Sequence, residues 1–159
     1  MQLEHFALQL EKLSQQCELN YSLGNSASED DVLQAEEKLG VSFPTKVPLF
    51  YRSFNGLRVE NPQLEVLPIE QLNFVFPNRL HFATVDGKHR LYFDTSQTNE
   101  AGQWNILAED GYCVTLTMPS FWSSYIWKWI KYRRVIWEEE LGWKWKIQSE
   151  EVRENERAT

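Results

Sequence analysis

Three histidines and a scatter of neighbouring carboxylates are the side chains of this 159-residue chain best suited to chemistry, and their spacing decides whether they can act together. His81, Asp86 and His89 fall around one predicted hairpin, and His and Asp are common metal ligands. Alternation along a strand lets His81 and a residue near His89 face the same side only in some registers, so exposed or locally bonded hairpin histidines are expected and a metal site is not. His5 lies on the polar side of a predicted helix and is expected to be solvated. Carboxylates pair at Asp30 and Asp31, Glu36 and Glu37, and Glu109 and Asp110, with a run from Glu138 to Glu140. General acid-base catalysis needs such groups in a pocket that shifts their pKa, whereas adjacent positions mark helix starts and solvated turns. Glu36 is the exception, since it sits at the edge of an apolar helix face and is expected to tie that helix to backbone or to a basic side chain.

Covalent and nucleotide chemistry find less support. No Gly-x-Ser-x-Gly elbow or Cys/His signature is present. Cys17 and Cys113 stand far apart without the two-residue spacing of zinc or redox pairs, and both are expected to be reduced. Gly24 and Gly40 lack a Lys-Ser or Lys-Thr sequel, and Gly87-Lys88 belongs to a hairpin rather than a phosphate loop. No catalytic residue, metal or cofactor is therefore expected.

Recognition remains. Asp86, Asp94, Glu100, Glu109 and Asp110 fall on or beside loops between predicted strands, where a rigid sheet would display them as an acidic rim. Trp104 suits the core, whereas Trp127 falls off the apolar face of its helix and is a candidate aromatic anchor. These five acids and Trp127 form the expected partner-binding set. The net charge of -7 argues against direct nucleic-acid binding and suits encounter with a basic protein partner. Acid dominates residues 1–118, while the last quarter is nearly balanced. No apolar run approaches the roughly 18 residues that span a bilayer, and the first residues lack the pattern of a signal peptide. A cytoplasmic protein without membrane contact is expected.

The positioning elements are legible from periodicity and caps. Leu3, Phe6, Ala7, Leu10, Leu13 and Cys17 share one side of an amphipathic helix over residues 1–18, followed by a connector over 18–27. Ser28 and Asp31 form a capping box for a helix that carries Val32, Ala35 and Leu39 inward and closes at Gly40. Thr45 is expected to cap a second helix with Pro48 in its first turn and Val47, Phe50, Tyr51 and Phe54 on its apolar face, ending at Asn55-Gly56. Short strands follow at LRVE and LEVLPI, with a helical turn within IEQLNFV. Asp86-Gly87 joins LHFATV to HRLYFDT as a type I′ hairpin, and Glu109-Asp110-Gly111 joins QWNILA to YCVTLTM. Pro119 and Ser120 open a helix whose face is Phe121, Trp122, Tyr125, Ile126, Trp129 and Ile130. The segment VIWEEELGWKWKIQ suits a strand after Gly142, and residues 149–159 suit a disordered polar tail. The fold class is α+β, with helices packed on a mostly antiparallel sheet in one domain over residues 1–148.

This order of parts resembles the SUKH superfamily of Smi-Knr type domains over residues 28–130. The resemblance is carried by the Glu36 helix ending at Leu39-Gly40, by Phe43-Pro44, by Asn55-Gly56, by LYFD ending at Asp94, by Gly102 before QWNILA, and by Ser120-Phe121. It implies a non-catalytic binding domain. Many bacterial relatives of this kind are immunity proteins that neutralise a cognate toxin, often a nuclease, by direct binding. The alternative it implies is an intracellular regulator or scaffold akin to fungal cell-wall synthesis regulators, without a toxin partner.

Overall fold

A computed structural model describes residues 2–16, 19–60, 63–127 and 130. The proposed strand after Gly142, the tail over 149–159, and Cys17 and Trp129 lie outside the described residues. Helices α1 (Leu3–Gln16), α2 (Glu29–Leu39) and α3 (Lys46–Ser53) precede most of the sheet, and α4 (Met118–Ser120) runs directly into a π-helical segment, Phe121–Ile126. The strands are β1 (Tyr21–Leu23), β2 (Leu57–Glu60), β3 (Gln63–Val66), β4 (Asn73–Phe76), β5 (Arg79–Val85), β6 (His89–Asp94), β7 (Ile106–Ala108) and β8 (Cys113–Thr115). They pair antiparallel in the order β1-β2-β3-β5-β6-β7-β8, with β4 continuing the β3 position alongside the first half of β5. The α+β class is as expected, with helices on one face of an antiparallel sheet.

Local chemistry accounts for the helix boundaries. Ser28 Oγ accepts the Asp31 N–H at 3.0 Å while the Ser28 N–H donates to Asp31 Oδ2 at 2.8 Å, closing both halves of the capping box on α2. These bonds hold the Asp31 carboxyl below its ordinary value. At the other end Gly40 adopts φ 69°, and the N–H groups of Gly40 and Val41 both reach the Glu36 carbonyl, at 2.8 and 3.1 Å. Glu36 does what its position on the wheel implied: its carboxylate accepts the Phe43 N–H at 2.8 Å and so fixes the turn into α3.

The start of α3 departs from expectation. Thr45 already has helical backbone angles and its side chain caps nothing. Gln103, arriving from the loop between β6 and β7, takes that role. Its Oε1 accepts the Lys46 N–H at 3.1 Å and its Nε2 donates to Thr45 Oγ1 at 3.2 Å. Gln103 is 6% exposed, and the two bonds satisfy a polar group that burial would otherwise penalise.

Two further differences concern strands. The connector over 18–27 contains β1, which pairs with β2 in the register Tyr21 to Val59 and Leu23 to Leu57. IEQLNFV divides into a 3₁₀ turn, Ile69–Gln71, and then β4. In both places three or four residues obtain their strand character from pairing with a neighbour, which a short local pattern does not announce. Large rings fill the space between layers, with Phe82 stacked on Phe93 at 4.0 Å, Phe121 edge-on to Phe82, and Trp104 buried against Phe43 and Phe93.

Candidate interaction surface

The second face of the sheet carries no described helix, and its charged side chains are set by strand register. Arg58 on β2 lies opposite Glu65 on β3, with Nε 3.8 Å from Oε2. Glu65 is opposite Thr84 on β5, and Thr84 is opposite Arg90 on β6. Glu109, just past β7, completes the row by accepting the Arg90 N–H at 2.6 Å. The exposed Arg58–Glu65 pair stabilises the β2-β3 pairing by a few tenths of a kcal/mol, or about 1 kcal/mol at most.

Three of the expected site residues gather at one end of this sheet. Asp86 and Gly87 form the β5-β6 tip with φ values of 55° and 71°, the positive angles that a type I′ turn requires. Glu109 stands beside that hairpin, with its Oε1 3.8 Å from His89 Nδ1. Asp110 follows it, its Oδ1 accepting the Tyr112 N–H at 3.0 Å within the β7-β8 turn. All three carboxylates belong to exposed residues on tips tied down by backbone bonds.

Asp94 and Glu100 lie at the opposite end. The length of β6 separates Asp94 from His89, about 16 Å at the usual rise per residue. Asp94 Oδ1 is engaged locally, accepting from Ser96 N–H at 3.0 Å and Ser96 Oγ at 2.6 Å. Glu100 is exposed in the loop before β7. The expected rim is thus divided between two ends of the sheet.

Trp127 is placed differently from its helical-wheel position. The backbone winds as a π-helix here, and the Trp127 N–H reaches back to the Trp122 carbonyl. An i to i+5 bond sets Trp127 over Trp122, and both rings meet Phe6 of α1, at 6.3 and 5.5 Å. Trp127 is half-buried against the core rather than displayed.

The histidines do not converge with Asp86. Among the described residues no three or more His, Cys, Asp or Glu side chains group as a metal-binding set. His81 is half-buried on the second face, where Nε2–H lies 3.0 Å from both the Ala83 carbonyl and Thr84 Oγ1, inside a bulge of β5. Burial holds this imidazole below its ordinary pKa and Arg90 acts in the same direction, against the bond to Ala83 and the carboxylates of Glu65 and Glu109. Sequence reasoning missed the Arg58-Glu65-Arg90 row and Gln103. The row could have been found from strand register, whereas a Gln in a loop carries no local signal.

One antiparallel sheet with helices packed on it and charged hairpin tips along one end define an α+β domain. A family model described as the SMI1/KNR4 family (SUKH-1) matches residues 26–124, and the chain belongs to that family. Comparison with the curated proteins gave no match. Helix α1 and strand β1 precede the matched residues. No described helix is long and apolar enough to cross a membrane.

Proposed function

We propose that this chain is a non-catalytic, cytoplasmic protein-binding domain that neutralises a toxin, with the Asp86, Glu109 and Asp110 end of the sheet as its first point of contact. Membership of the SUKH-1 family supports a binding role. The observation that carries the choice of surface is the gathering of those three exposed carboxylates on two neighbouring hairpin tips, each tip held by backbone hydrogen bonds. Rigid display lowers the ordering cost of association. The three carboxylates outnumber the exposed Lys88 and Arg90 beside them, and this net negative charge attracts a basic protein face, such as the nucleic-acid-binding surface of a nuclease, raising the association rate more than the final affinity.

Co-expression tests the reading. The chain is expected to rescue cells from a toxin encoded beside it and to copurify with that toxin. Reversal of Glu109 and Asp110 to Lys should slow association about tenfold at low salt and leave dissociation nearly unchanged. An unchanged association rate would remove the tips from the contact. Absence of any neighbouring toxin, with a cell-wall phenotype on deletion, would favour the regulatory alternative.

A further inference from the structure

Helices α2 and α3 each present one leucine to solvent, and the charges around the two are of opposite sign. Leu33 on α2 is 55% exposed and stands among Glu29, Asp30 and Glu37, its neighbours at helical spacings of three and four. Leu49 on α3 is 49% exposed, with Lys46 three residues before it and Arg52 three residues after. None of these five charged side chains makes an ion pair with a described residue.

Leu49 also borders a groove of about 450 Å³ between the start of α1, α3 and the start of α4. Leu3, Phe54, Pro119 and Trp122 make its apolar lining, with Lys46 and Glu4 the charged groups on it. The volume is within the range of pockets that take apolar groups, so a leucine side chain fits with room for its flanking residues.

We propose that this groove receives Leu33 from a second copy of the chain, forming a head-to-tail contact in which Glu29, Asp30 and Glu37 of one copy face Lys46 and Arg52 of the next. The commitment to a second copy rests on charge complementarity. The same chain carries an acid-ringed apolar knob and an apolar groove whose α3 side, at Leu49, is flanked by Lys46 and Arg52, while Glu4 stands on its α1 side. Because knob and groove are different surfaces, the contact is heterologous, and each copy keeps one unused half. Burial of the leucines supplies attraction, and the opposed charges set the orientation. This inference does not depend on the toxin reading, since it uses the helical layer and leaves the hairpin tips uncovered.

Sedimentation velocity on the full chain tests it. At low salt the mean mass should rise with protein concentration, and the association constant should fall about tenfold in high salt as the screening length shrinks from above 10 Å to a few Å. Leu33→Gln should abolish association, and so should Lys46→Glu with Arg52→Glu, while far-UV dichroism and melting stay at wild-type values. Mixing the two defective proteins should produce a dimer that grows no further, because each brings one intact half. A monomer at every concentration in low salt would overturn the proposal. So would an oligomer that survives both sets of substitutions, or failure of the two defective proteins to pair when mixed.

Discussion

Replacing Gln103 by Ala tests the link between the β6-β7 loop and the helical layer. The substitution removes the acceptor of the Lys46 N–H, 3.1 Å away, and the donor to Thr45 Oγ1, 3.2 Å away. Each such bond contributes about 1 kcal/mol net, and water reaches the groups left behind because Thr45 and Lys46 are exposed. The expected loss is therefore about 2 kcal/mol, a fall in melting temperature of about 4–8 °C for a chain of this size. Urea unfolding should show a lower midpoint with an unchanged slope. Thr45→Ala is the discriminating comparison. A hydroxyl that only accepts from Gln103 loses that one bond, about 1 kcal/mol, so Thr45→Ala should cost about half as much as Gln103→Ala. The double variant should cost less than the sum of the two, because both substitutions delete the same bond. If Thr45→Ala proves as damaging as Gln103→Ala, Thr45 is the cap and the assignment to Gln103 is wrong.

Three other outcomes follow from the geometry. Asp31 is held below the ordinary carboxylate value of 3.8 by its bonds to Ser28, so its stabilising effect is present above that pH and lost as pH falls through the depressed value. Asp31→Asn should flatten the acid limb of the stability profile, and an NMR titration that leaves Asp31 at its ordinary value would contradict this. Tyr51 is fully buried, donates to the Leu67 carbonyl at 2.9 Å, and has its ionisation pushed far up, by burial first and by Glu70 second. Its contribution is complete below the ordinary value of 10.0 and lost as pH rises beyond it, so wild type should lose stability in alkali more steeply than Tyr51→Phe. At neutral pH, Tyr51→Phe should cost about 1–2 kcal/mol in urea unfolding. Gly24→Ala would drive a Cβ into the backbone carbonyl of Asn55 and should cost more than about 2 kcal/mol; a melting temperature equal to wild type would show that β1 moves freely.

Much of the fold was written in short-range patterns. The capping box at Ser28 and Asp31, the left-handed Gly40, the Asp86-Gly87 turn and the inward face of Phe50 and Tyr51 involve residues within four or five positions of one another. Their energetics are local, so spacing alone reveals them. Even the structural role of Glu36 was accessible, because its acceptor bond to Phe43 spans seven residues across a single turn.

What spacing could not supply was set by partners distant along the chain. Gln103 lies 58 residues from Thr45, and β1 exists because Tyr21 and Leu23 find Val59 and Leu57. The ring that Trp127 meets at the end of the π-helical segment, Phe6, comes from α1, far away along the chain. Division of the acidic set is of the same kind: Asp86, Glu109 and Asp110 share an end because β5, β6 and β7 pair in one register, and that register carries Asp94 and Glu100 to the other. Sequence by itself determined where α2 and α3 form and stop and that an antiparallel sheet accompanies them, since those outcomes minimise free energy over a few neighbouring residues. Only tertiary structure decided which charges meet and which rings are covered, because those energies exist only after distant strands and helices have come into contact.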